Sequence, residues 1–296
     1  MSSICNCQAE LRLTLELSGA HEKSKAEGSG AVTAPNNKMM AYSHEHLSAA
    51  WPLGVKVSGI TSLDELRSSI AAGAFAVGFS AASEIPVPKL GGGASLSNER
   101  IRELSAFAKE AAPPGLWRVL ITARTSGASI SDHIHETGVN AVRITKPCGP
   151  RDWTIIRAAH PSVKIIQELD PFEPELIAPA KQADPYVDAL LLDCASDDGQ
   201  VDGRQLGKAW QATREIASVC VAPIILAGNL SEETIEPAVS AARPDAVAVS
   251  IKTTKGQLTS VVDKFFAASK AVGPIAEKKL DVDQQVADED QLGEDA

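Results

Sequence analysis

One feature constrains this chain more than any other. A short apolar, β-branched run is followed by a longer segment of helical period, and the alternation occurs eight times. The runs are Val55–Ser58, Ala74–Phe79, Trp117–Thr122, Ala141–Ile144, Val163–Gln167, Ala189–Asp193, Ile224–Leu226 and Ala246–Ser250. The helical segments include Leu63–Ala72, Asn98–Ala111, Ile130–Thr137, Leu206–Val219, Glu232–Ala241 and Gln257–Ala271. Ser97 and Ser231 stand as N-caps, each with acidic residues in the turn that follows. Strands that are apolar at nearly every position are buried on both faces, which is the signature of a parallel sheet. Eight βα units in about 220 residues predict a (β/α)8 barrel. A doubly wound open sheet is the alternative. It calls for a G-x-G-x-x-G loop after the first strand, and "SGITS" is not one.

The alternation spans residues 53–272. Residues 1–52 are rich in Ser, Ala, Gly, Asn and Lys, with one apolar run at Leu11–Leu17, and read as a mostly disordered extension. Residues 273–296 contain "DVDQQVADEDQLGEDA" and read as a solvated acidic tail, with no protein partner specified for either extension. The net charge of −10 lacks the basic footprint of a nucleic-acid binder. The apolar runs are far shorter than a membrane span, so no membrane partner is expected. Five scattered cysteines fit a reducing compartment, and the N-terminus lacks a basic-then-apolar leader, so the cytoplasm is the expected location. Cys5-x-Cys7 and His44-Glu-His46 do not have the spacing of a zinc finger. His133-Ile-His135 falls on a helix, where residues two apart face different ways, and is read as outer-ring surface. No metal site and no cofactor are expected.

In such a barrel, chemistry sits at the C-terminal ends of the strands. The strand-end candidates are Ser58, Phe79–Ser80, Thr122, Arg143 with Thr145 and Lys146, Glu168–Asp170, Asp193, Gly228–Asn229 and Ser250–Lys252. Gly228 and Asn229 suit an anion approaching backbone N–H groups, or simply a well-formed turn. Lys252 and Lys146 suit a phosphate as point charges, or a Schiff base. Arg143 suits a carboxylate fork or a rim ion pair.

Three segments, "VKVSGITSLDE", "DALLLDCAS" and "PIILAGNLSEETIEPAV", stand in order at the first, sixth and seventh strands. Together they resemble the phosphoribosylanthranilate isomerase family of tryptophan biosynthesis, from about Val55 to Lys270. The resemblance implies a (β/α)8 fold, a phosphorylated small-molecule substrate, no cofactor, and an Amadori rearrangement of an aminoaldose to an aminoketose. A general acid opens the ribose ring, and a general base removes a proton from the adjacent carbon. The resemblance places the acid on Asp193. It places the base, a cysteine in the family's K-x-C-G-I-T, on Ser58. It places the phosphate site on Gly228, Asn229 and Ser250, with Lys252 where the family has glycine.

The cysteine-to-serine departure matters chemically. A thiol titrates near about 8.5, whereas a serine hydroxyl needs a dedicated base beside it. Loss of a general base costs about 10²–10⁴-fold in rate. Glu168 and Asp170 are the acidic residues near enough in sequence to substitute. Further departures are "AASEIPVPK", where the family has a basic S-P-R, and Thr145, where it has the histidine of Q-L-H-G; Trp210 matches. Three readings therefore stand: the family isomerase with Asp193 as acid, a barrel enzyme for another small and possibly phosphorylated substrate, and an inactive relative serving as scaffold or binding protein.

Overall fold

The computed structural model describes residues 53–82, 95–195, 202–228 and 230–273 of the chain. The two extensions, the His44/His46 and Cys5/Cys7 pairs and Asn229 lie outside the described residues. Eight βα units follow one another: β1 (Gly54–Ser58), α1 (Leu63–Ala71), β2 (Ala76–Ser80), α2 (Asn98–Ala111), β3 (Trp117–Thr122), α3 (Gly127–Thr137), β4 (Ala141–Ile144) and α4 (Pro150–Ala159); then β5 (Lys164–Leu169), α5 (Ile177–Ala183), β6 (Ala189–Asp193), α6 (Gly203–Val219), β7 (Ile224–Ala227), α7 (Ile235–Ala242), β8 (Ala246–Ser250) and α8 (Leu258–Val272). The strands close in chain order, with β8 paired in parallel to β1. Closure excludes the open doubly wound sheet. Among the described residues no helix is long and apolar enough to cross a membrane.

Alternation along each strand builds two cores. Val55 and Val57 of β1, like Val77 and Phe79 of β2, pack outward in the cluster between sheet and helices. Ala76, Val119, Ile166, Ala189 and Ile225 belong to the cluster inside the barrel. The registers set the heights of the inward residues. Ala76, Ala141, Ala189 and Ala246 form a floor from the even strands. Lys56, Val119, Ile166 and Ile225 lie above it from the odd strands, as barrel layers require. Then come Gly78, Arg143, Leu191 and Ala248, and above them Ser58, Ile121, Glu168 and Ala227. Ser80, Asp193 and Ser250 form the rim. The lower barrel is thus small and apolar, with the single exception of Lys56, while polar groups gather toward the C-terminal end.

Local chemistry sets the element ends. Ser97 caps α2 as expected, its side chain accepting from Arg100 N. Ser231 does not cap α7: its hydroxyl accepts from Glu233 N, one turn forms first, and the helix starts at Ile235 with Thr234 as N-cap. β2 starts two residues later than the apolar run, because Gly73 takes a positive φ of 81° and carries the chain out of α1. β5 runs on to Leu169, so Glu168 is a strand residue facing inward.

His133 corrects a second expectation. His135 is exposed, but His133 is buried under α2. Its Nε2 lies 2.8 Å from Asn98 Oδ1, which can only accept, so Nε2 carries the proton. Nδ1 then accepts from Thr122 Oγ1 at 3.1 Å. Burial and the Arg124 cation, opposed by Glu136, lower its pKa to about 4. The unfolded imidazole takes a proton near about 6.5, so the unfolded state binds more protons as pH falls from that value toward 4. The protein is expected to lose stability over that window, and His133→Gln to lose less. Urea unfolding at pH 7 and pH 4.5 checks both.

Candidate functional site at the C-terminal end of the barrel

Period-two alternation puts Lys56 and Ser58 on one face of β1, both turned into the barrel. Lys56 is fully buried, and its Nζ lies 2.5 Å from Ser58 Oγ. The room for it comes from β2. A Cβ built on Gly78 would stand 3.1 Å from Lys56 Nζ and 3.2 Å from both Ser58 Oγ and Ile121 Cδ1. Glycine at this height leaves the volume that the lysine head occupies. Burial, then the neighbouring Arg143 cation, outweigh the pull of Asp193 and Glu168 and bring the Lys56 pKa down to about 7. Ser58 is half-buried and so reaches the rim that Lys56 does not.

Arg143 rises from β4 into the same interior and is 3 % exposed. Its Nε donates to Glu168 Oε2 at 2.9 Å, and its Nη2 to Asp193 Oδ2 at 2.6 Å. Burial works against its charge, yet the two carboxylates outweigh burial and hold its pKa above the ordinary value. Asp193 ends β6; its other oxygen, Oδ1, accepts from Ala195 N at 3.1 Å and fixes the carboxylate at the rim. The two acidic residues offered as substitute bases are both engaged. Glu168 holds Arg143, and Asp170 accepts from Phe172 N at 3.0 Å in the turn after β5. At the end of β2, Ser80 is 2 % exposed and its hydroxyl has no hydrogen-bond partner among the described residues.

A cavity of about 530 Å³ opens beside this cluster. Glu168 and Asp193 stand in its wall with Thr145, Lys146, Trp153 and Asp170. The volume is ordinary for a small-molecule site. Gln167 stiffens that wall, accepting from Trp153 Nε1 at 3.1 Å and donating to Lys146 O at 3.0 Å.

The other expected anion residues lie on the neighbouring strands β7 and β8. Gly228 follows β7 with φ 86°, and a Cβ there would meet Ala195 N at 2.2 Å. Gly228→Ala is therefore expected to cost roughly 1–2 kcal/mol of backbone strain plus about 1–3 kcal/mol of overpacking, read as a lower urea midpoint. Ser250 ends β8, and its hydroxyl accepts from Lys252 N at 3.4 Å. Lys252 is exposed in the turn that follows. The structure thus brings Ser58, Arg143 and Asp193 into one interior cluster, with Gly228, Ser250 and Lys252 on the adjacent corner. Sequence reasoning missed Lys56, and the alternation of β1 was the signal for it.

No family model matches the chain. The N-(5'-phosphoribosyl)anthranilate isomerase of Haloferax volcanii is 33% identical over 198 residues, covering 66% of this chain and 82% of that protein. A solved phosphoribosyl anthranilate isomerase from Thermococcus kodakaraensis superposes with a TM-score of 0.55 at 20% identity, covering 73% of this chain and 97% of that one. A solved isomerase of the same name in complex with reduced 1-(o-carboxyphenylamino)-1-deoxyribulose 5-phosphate gives a TM-score of 0.51 at 22% identity, covering 74% of this chain and 98% of that one.

Proposed function

The chain belongs to the phosphoribosylanthranilate isomerase family, and we propose that it catalyses the Amadori rearrangement of phosphoribosylanthranilate in tryptophan biosynthesis. The observation that carries this reading is Asp193, buried at the end of β6, fixed by Arg143 and Ala195 N, and set in the wall of an open cavity. A scaffold that had lost its substrate would have no need to hold a carboxylate in that place. Asp193 donates a proton to the ribose ring oxygen as the bond from carbon 1 to that oxygen breaks. Arg143 stabilises the carboxylate left behind. Its fork faces Glu168 and Asp193, which gives Arg143 the part of positioning the acid. Ser58 faces carbon 2, where a proton must leave. Gly228, Ser250 and Lys252 hold the phosphate at the β7–β8 corner, the usual place for one in this fold. The reduced form of a phosphorylated carboxyphenylamino ketose, bound in a solved relative, has the matching chemistry. The few, scattered cysteines support a reducing compartment, the cytoplasm, for this work.

The test is a fluorescence assay of freshly made phosphoribosylanthranilate. Saturable consumption that scales with protein concentration is expected. A rate equal to that of buffer alone overturns the reading.

A further inference from the structure

We propose that Lys56 and Ser58 form the proton-accepting pair of this site, Ser58 Oγ meeting the hydrogen on carbon 2 and Lys56 Nζ taking the proton through it. The inference rests on the isomerase reading and supplies the base which that reading lacks.

Four observations converge. Nζ and Oγ are 2.5 Å apart, so a proton passes between them with no rearrangement. The lysine is wholly inside the barrel and the serine is half-buried at its mouth, an inner acceptor behind an outer contact. Gly78 leaves the space that the pair needs. The two carboxylates nearest the strand ends are engaged, Glu168 by Arg143 and Asp170 by Phe172 N.

The charges around Lys56 are Arg143 from β4, Glu168 from β5 and Asp193 from β6. The reactive form leaves Lys56 neutral. That form is accessible near neutrality because burial lowers the lysine pKa to about 7. The protons and electrons balance. The bond from carbon 2 to hydrogen breaks, and its electron pair becomes the carbon 1–carbon 2 double bond of an enolamine. The hydrogen passes to Oγ as the Oγ proton passes to Nζ, while Asp193 has given its proton to the ring oxygen. Tautomerisation to the ketone returns a proton from Lys56 to carbon 1 and one from the enol hydroxyl to Asp193. The pair ends as it began.

The experiment compares wild type, Lys56→Met, Lys56→Met with Ser58→Cys, and Ser58→Cys alone, each shown folded by circular dichroism and urea unfolding. The readout is kcat/KM for phosphoribosylanthranilate from pH 5.5 to 9. Wild type is expected to lose activity as pH falls through about 7, as the lysine takes up a proton. Lys56→Met is expected to fall about 10²–10⁴-fold and lose that acidic limb. Ser58→Cys in the Lys56→Met background is expected to recover much of the rate, because a thiolate needs no lysine behind it. Rescue separates a proton acceptor from a lysine that merely props the barrel, which cysteine cannot replace. A Lys56→Met protein with wild-type rate and pH profile, or one that cysteine does not rescue, overturns the pair and leaves the isomerase reading standing. An inert wild type overturns the isomerase reading itself.

Discussion

Asp193→Asn is expected to lower turnover of phosphoribosylanthranilate about 10²–10⁴-fold, the range for loss of a general acid, with a small change in stability. Asparagine keeps the size of the side chain and an oxygen for Ala195 N. It has no proton to give at the ring oxygen. Arg143 keeps its pairing with Glu168 in this variant, so the cluster does not fall apart. The checks are kcat/KM together with a urea midpoint. A large fall in rate beside an unchanged midpoint identifies chemistry. Equal losses in both identify a structural aspartate.

Arg143→Met is expected to have the largest effect on folding. The guanidinium sits between Glu168 and Asp193 in a nearly dry interior, with side chains 4 %, 12 % and 7 % exposed. Removing it leaves two buried carboxylates facing each other with only Lys56 nearby. Breaking a buried ion pair from one side costs about 3–5 kcal/mol. Urea unfolding at pH 7 reads the deficit. Arg143→Met combined with Glu168→Gln and Asp193→Asn is expected to regain much of the lost stability, because no carboxylate is then left buried without its arginine.

The barrel was legible because its strands are buried on both faces. Each reads as a short apolar run, and eight such runs separated by helical periods leave few other ways to fold. The misjudged ends have local causes. At β2 the apolar letters Ala74 and Phe75 precede the point where Gly73 has let the chain straighten. At α7 the "SEET" pattern looks like a cap but forms its own turn first. His133 was read as surface because polar letters on a helix usually are, although its neighbours Ile130, Ile134 and Thr137 are all buried. The strand-end rule found Ser58, Arg143 and Asp193, since polarity at the end of an apolar run stands out. It missed Lys56, which lies mid-strand. Strand alternation gives it the same face as Ser58, and a lysine inside a doubly buried strand needs either a partner or a purpose. No reading of one strand could supply the contact of Arg143 with Asp193, which joins residues 50 apart in the chain.

The most direct measurement is the product itself. Wild-type protein, exchanged into D2O, is given phosphoribosylanthranilate, and the mixture is read by proton NMR. The predicted result is the aminoketose, with solvent deuterium at carbon 1, as a proton carried by exchangeable side-chain groups requires. An aminoaldose that never becomes a ketose, or a ketose whose carbon 1 holds only the original hydrogens, contradicts it.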